Sequence, residues 1–106
     1  MNDDFQLGYA MGILVSQGSF TRDRKQPAVQ VKLHTRDEGI LDFLFERFGG
    51  RIYGPYIHGE RNYKIWLLRG DDLTYAVETF RVHLPPSHKR EQFEAWYVRY
   101  FSGDGR

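Results

Sequence analysis

Helix-like and strand-like spacings of apolar residues alternate along the chain. The predicted helices fall at residues 4–17, 35–49, 71–83 and 88–101, and the predicted strands at residues 19–24, 28–34, 51–57 and 62–68. The clearest strand is 28–34, where apolar Val29, Val31 and Leu33 alternate with polar Gln30, Lys32 and His34. This order predicts an α+β fold, αββαββα with a trailing helix, in which a four-stranded antiparallel sheet carries its helices on one face.

The same alternation assigns the two faces of the strand at 62–68. We expect the side that faces the helices to hold Tyr63, Ile65 and Leu67. The side without helices, here called the open side of the sheet, should then hold Asn62, Lys64 and Trp66.

Polar residues and glycines mark the predicted helix ends. Thr35 with Glu38 fits a capping box before the second helix, and Ser87 can cap the last one. Gly18 and the pair Gly49-Gly50 are expected to stop the first and second helices.

Length and composition are typical of one folded domain. The chain has 106 residues, 41% hydrophobic and 16% aromatic, so we expect a single domain over residues 1–106 with a packed core. It has no cysteine, which excludes disulfides and thiolate metal sites. No leader segment or long apolar span is visible, so we expect a cytoplasmic protein, nucleoid-associated if bacterial, with no membrane partner.

Basic residues are concentrated although the formal net charge is only +1. Residues 18–36 hold five Lys or Arg against one Asp, and residues 51–69 hold four against one Glu. Both segments are predicted strand pairs, whereas the helical segments 37–50 and 70–86 are net acidic. Positive charge should therefore lie mainly on the sheet.

The first predicted helix carries a stripe of small residues. Gly8, Gly12 and Ser16 lie at i, i+4 and i+8, so they share one face where another backbone can come close. Each glycine costs about 1 kcal/mol relative to alanine inside a helix. An ordinary core helix with two tolerated glycines is the alternative interpretation.

Residues 9–20, YAMGILVSQGSF, resemble the signature of the LAGLIDADG homing endonucleases, which often reads YLAGFIDGEGSF. The identical positions are Tyr9, Gly12, Gly18, Ser19 and Phe20. Lys89, Gln92 and Phe93 resemble the Lys-x-x-Gln-aromatic stretch near the family's final helix. The predicted order of elements is also that of a family domain, so the resemblance covers nearly the whole chain.

The resemblance implies a homodimer that binds double-stranded DNA, because the chain has one signature helix and no internal repeat. The implied dimer interface comprises Gly8, Met11, Gly12, Val15 and Ser16. The implied DNA-binding residues are Thr21, Asp23, Lys25, Gln30, Lys32, Arg51, Tyr53, Asn62, Lys64 and Trp66. Cations on the open side would contact phosphates, and Gln, Lys and Arg can also read base edges in the major groove. A solvated polar face without a partner is the ordinary alternative.

Two departures from the signature bear on activity. The first acidic position of the signature is Val15, and the second, which in the family holds the catalytic divalent metal, is Gln17. An amide oxygen can ligate a hard cation but brings no charge. Lys89 matches a family position that places a basic group near the scissile phosphate. We therefore expect DNA binding without efficient cleavage, no resident metal, and degenerate catalytic positions at Gln17 and Lys89.

Two other functions stay open. An active endonuclease that hydrolyses phosphodiesters with Mg²⁺ would require an acid-bearing partner subunit or metal ligands elsewhere. The four histidines do not suggest such ligands, since His34, His58, His83 and His88 are scattered without metal-binding spacing. A protein-interaction module that no longer binds DNA is favoured by the near-zero net charge. A DNA-binding homodimer could be a transcriptional regulator or a relic of a mobile element.

Overall fold

The computed structural model describes residues 2–102 as helices packed on a four-stranded sheet. In chain order the elements are α1 (Asp3–Gln17), β1 (Gly18–Asp23), β2 (Gln26–His34), a 3-10 turn (Thr35–Asp37), α2 (Glu38–Phe48), β3 (Arg51–His58), β4 (Arg61–Arg69), α3 (Gly70–His83) and α4 (His88–Phe101). The predicted α+β class and element order are confirmed, with boundaries shifted by a few residues. Among these residues no helix has both the length and the apolar character needed to cross a membrane.

The sheet is antiparallel, with strand order β1-β2-β4-β3. Val29 of β2 pairs with Phe20 of β1 and with Leu68 of β4, and these three positions face the helices. The core lies between the sheet and the helices, and its largest fully buried side chains include Trp66, Phe80, Phe93 and Leu14. The other side of the sheet is the open side.

Aromatic packing holds α4 against β1. The ring of Phe20 lies 6.5, 5.1 and 5.2 Å, between centroids, from the rings of Phe80, Phe93 and Trp96. The indole N–H of Trp96 also donates to the backbone carbonyl of Thr21 at 2.7 Å. This packing brings the first turn of α4 close to the junction of α1 and β1.

Most predicted helix ends are confirmed. Ser87 accepts a hydrogen bond from the backbone N–H of Arg90 at 3.0 Å and caps α4. Gly49 and Gly50 have φ of 85° and 88°, and a Cβ on Gly50 would lie 2.6 Å from the carbonyl oxygen of Leu67. Glycine is therefore required where α2 turns into β3. The predicted capping box is wrong, because α2 begins only at Glu38 and has no side-chain cap.

Candidate nucleic-acid interface

The open side of the sheet combines cations, aromatic rings and a partly apolar centre. Register partners in an antiparallel sheet lie on the same side, so rows of side chains can be read across the strands. Successive rows are Thr21–Ala28–Arg69, Ser19–Gln30–Leu67–Arg51, Lys32–Ile65–Tyr53 and His34–Tyr63–Tyr56. A surface with this composition can contact phosphates through its cations and base edges through its amide and aromatic groups.

Most of the residues predicted to bind DNA lie on the open side or at its end. They are Thr21, Asp23, Gln30, Lys32, Arg51 and Tyr53 on the strands, and Lys25 in the β1–β2 turn. The carboxylate of Asp23 lies 3.3 Å from the guanidinium of Arg69, so this acid is offset by a neighbouring cation. The role of these residues in binding DNA stays a prediction.

Trp66 lies in the core, so its assignment to the open side is wrong. Its side chain is fully buried and its register partner is Val31, which faces the helices. The indole N–H donates to the carbonyl of Gly49 at 2.8 Å, which satisfies its one polar group. Burying the large indole removes more apolar surface from water than burying Ile65 would. β4 therefore turns its Trp66 face inward.

Lys64 and Asn62 follow Trp66 to the helix side and are corrected with it. The ammonium of Lys64 donates to the carboxylate of Glu38 at 2.6 Å, and this hydrogen bond raises the pKa of Lys64 above its usual value. The hydroxyl of Thr35 donates to the amide oxygen of Asn62 at 2.5 Å. The two residues of the predicted capping box thus bind β4 instead of capping α2.

The sequence analysis missed two cations on the open side, Arg61 and Arg69. Arg69 pairs in register with Ala28, and Arg61 with His58 at the β3–β4 turn. Both have the odd numbering of Tyr63, which the sequence analysis placed inward. The available signal was the tryptophan: once Trp66 is taken as the inward residue, every odd position of β4 becomes open.

Tyr63 is the centre of an aromatic and cationic cluster at one end of the open side. Its ring centroid lies 5.5 Å from that of Tyr56 and 6.1 Å from that of His58, and the Nζ of Lys32 lies 4.8 Å from it. Tyr56 reaches this cluster because a register shift between Tyr53 and Tyr56 places both on the same side. The cluster extends the open side towards the β3–β4 turn.

One face of α1 is free of contacts in the described part of the chain. A Cβ on Gly8 or Gly12 would meet no heavy atom within 4 Å outside the neighbouring helix backbone. The hydroxyl of Ser16 donates to the carbonyl of Gly12 at 3.0 Å, so it needs no outside partner. Val15 is half-buried beside this face. Met11 is only 4% exposed and belongs to the core of its own chain, which corrects its assignment to the interface.

The foot of α1, defined here as Gln17, Gly18 and Lys89, unites both degenerate catalytic positions. Gln17 is exposed at the last position of the helix. The ammonium of Lys89, from the first turn of α4, donates to the carbonyl of Gly18 at 2.5 Å across 71 residues of sequence. The fold therefore places Lys89 beside Gln17, as the resemblance implies.

The donor set at the foot of α1 does not fit a divalent metal. Mg²⁺ prefers carboxylate oxygens, and Gln17 supplies only a neutral amide. Within residues 2–102 no group of three or more His, Asp or Glu side chains is arranged to hold a metal ion. We therefore derive no chemical step from a metal at this site.

Comparison with known proteins identifies the fold. No protein-family model and no curated protein matches the chain. The homing endonuclease I-TnaI superposes with a TM-score of 0.73 at 21% identity, over 87% of this chain and 69% of that one. The archaeal intron-encoded homing endonuclease I-Vdi141I, complexed with DNA, gives 0.70 at 21%, over 92% and 67%. The LAGLIDADG homing endonuclease I-SmaMI, bound to cleaved DNA, gives 0.71 at 15%, over 87% of this chain but only 34% of its own.

Proposed function

We propose that this chain, which has the fold of the LAGLIDADG homing endonucleases, binds double-stranded DNA as a homodimer and does not cut it efficiently. The observation that carries the proposal is the exposed cationic side of a sheet whose other side is fully occupied by the core. I-Vdi141I and I-GzeII share the fold in complexes with DNA, which supports the same use of the sheet here.

The charges on the open side suit a nucleic-acid backbone. Lys32, Arg51 and Arg61 are exposed, and within residues 2–102 none of them forms an ion pair with a carboxylate. Such cations are available to phosphates, and each contact would release a counterion and make binding salt-dependent. Gln30 lies between the cationic positions of β2 and β3 and can donate to or accept from base edges.

The dimer would be formed by the free face of α1. A backbone can approach closely over Gly8 and Gly12, and the exposed rings of Phe5 (60% exposed) and Tyr9 (40% exposed) would flank the contact. α1 leads directly into β1, which is an edge strand of the sheet. A two-fold axis beside α1 would therefore set the two open sides next to each other as one continuous surface.

The absence of efficient cleavage rests on the amide of Gln17. In a homodimer both subunits carry it, so neither supplies the negative charge that attracts a divalent metal to the phosphate. A DNA-binding homodimer of this kind would act as a transcriptional regulator or persist as a relic of a mobile element, in the cytoplasm or at the bacterial nucleoid.

Selection of bound duplexes from a random pool tests DNA binding and symmetry together. We expect the wild-type protein to enrich a palindromic motif, because a two-fold dimer reads two equivalent half-sites. Failure to bind heparin or random duplex at low salt would instead favour a protein-interaction module, the function that the near-neutral net charge supports.

A plasmid that carries the selected motif then tests cleavage. Wild-type protein with Mg²⁺ should leave it supercoiled, and Gln17→Glu should gain cutting if the rest of the catalytic scaffold is intact. Efficient cutting by the wild type would contradict the proposed loss of activity and establish the alternative, an active endonuclease.

A further inference from the structure

The foot of α1 carries hydrogen-bond donors where a metal site would need acceptors. Lys89 is half-buried, and within residues 2–102 its ammonium forms no ion pair with a carboxylate. The carbonyl of Gly18 takes one of its three donors, which leaves two without a protein partner in this part of the chain. The exposed amide of Gln17 likewise has no hydrogen-bond partner among the described residues.

A structural role explains part of this arrangement. The last turn of α1 contains no basic residue, and the carbonyls at a helix C-terminus carry partial negative charge. Lys89 supplies a cation there from α4. A single carbonyl does not compensate a half-buried ammonium fully, however, and an anion at the same place would complete its hydrogen bonds.

We propose that the foot of α1 is a phosphate site that works without metal. The ammonium of Lys89 and the amide N–H groups of Gln17 would donate directly to a phosphate of the bound DNA backbone. The inference rests on the proposed function, and in a homodimer it gives one such contact per subunit on either side of the two-fold axis. A carboxylate at position 17 would repel the phosphate unless a divalent cation lay between them.

The salt dependence of binding distinguishes a phosphate contact from a helix cap. Binding to a labelled random duplex is measured by fluorescence anisotropy over a KCl series in EDTA. Lys89→Met should reduce the slope of log Kobs against log [KCl] by about 1.8 for the dimer, at about 0.9 per phosphate contact. Lys89→Arg should keep the wild-type slope. A cap without phosphate contact would lower the Tm of Lys89→Met, measured by circular dichroism, but leave the slope unchanged, which would overturn the inference.

Substitution of Gln17 tests independence from metal. In EDTA, Gln17→Glu should bind duplex about tenfold more weakly, the size expected when a unit charge is brought near a phosphate at a protein surface. Mg²⁺ at matched ionic strength should restore that loss while leaving wild-type affinity unchanged. Gln6→Glu is the matched control, because it makes the same change on α1 about 16 Å away and should alter neither affinity.

The failures are separable. A wild type that binds no duplex at low salt would refute the proposed function itself. A wild type that binds duplex, but more tightly with Mg²⁺ than in EDTA at matched ionic strength, would refute only the metal-free site. The same conclusion would follow if Gln17→Glu had no effect in EDTA.

Discussion

Replacing Lys32 with glutamine removes one cation from the open side while keeping a polar side chain of similar reach. Lys32 is exposed on β2, and its ammonium contacts the ring of Tyr63 but no carboxylate among residues 2–102. Its loss should therefore change the stability of the fold little. If the open side binds DNA, the loss should instead appear in the ionic-strength dependence of binding.

The size of the effect follows from the number of phosphates released. With one phosphate contact per subunit, Lys32→Gln in the dimer should reduce the slope of log Kobs against log [salt] by about 1.8. Over a fourfold rise in salt, the wild-type affinity should then fall roughly 12-fold more than that of the variant. Anisotropy titrations of a labelled random duplex at several KCl concentrations measure both slopes.

Lys64→Gln is the matched control, because Lys64 is adjacent in sequence to Ile65, the register partner of Lys32, but lies on the other side of the sheet. Its ammonium is bound by Glu38 at 2.6 Å. The control should show the wild-type slope, with at most a small fall in Tm. An unchanged slope for Lys32→Gln, or an equal reduction for both variants, would refute the assignment of the open side as the DNA surface.

Three further changes test other parts of the structure. Gly12→Leu should convert the dimer to a monomer in light scattering, whereas Gly39→Leu, at another helical position with open space for a side chain, should leave it dimeric; a Gly12→Leu dimer would misplace the interface. Trp66→Phe should lower the free energy of unfolding in urea by about 1–3 kcal/mol, through a lost buried hydrogen bond and a small cavity, and should keep the wild-type salt slope; a reduced slope would return this residue to the DNA surface. The hydrogen bonds from Arg81 lower the pKa of Glu78, so this pair stabilises the fold above the usual carboxyl pKa and loses its effect as the pH falls through the lowered pKa. Glu78→Gln should accordingly reduce Tm at neutral pH but not in strong acid, and an equal reduction at every pH would contradict this.

The order of elements and most of their ends could be predicted from the sequence, because these depend on local spacing. A period of two over 28–34 has no helical interpretation, and Ser87 caps the next residues whatever packs around them. The α1 signature was legible for the same reason, since its small residues are read along one continuous helix. The approach of Lys89 to the foot of α1 was implied by resemblance alone, because 71 residues separate it from Gly18.

The face of β4 that points inward was decided only by the tertiary structure. Residues 62–68 offer Tyr63, Ile65 and Leu67 on one side and Trp66 with Leu68 on the other, so alternation alone does not choose between them. Pairing with β2 decides it, since Val31 is already committed to the core and its register partner must lie on the same side. A strand turns as a unit, so this single pairing moves Asn62 and Lys64 off the open side and brings Arg61 and Arg69 onto it.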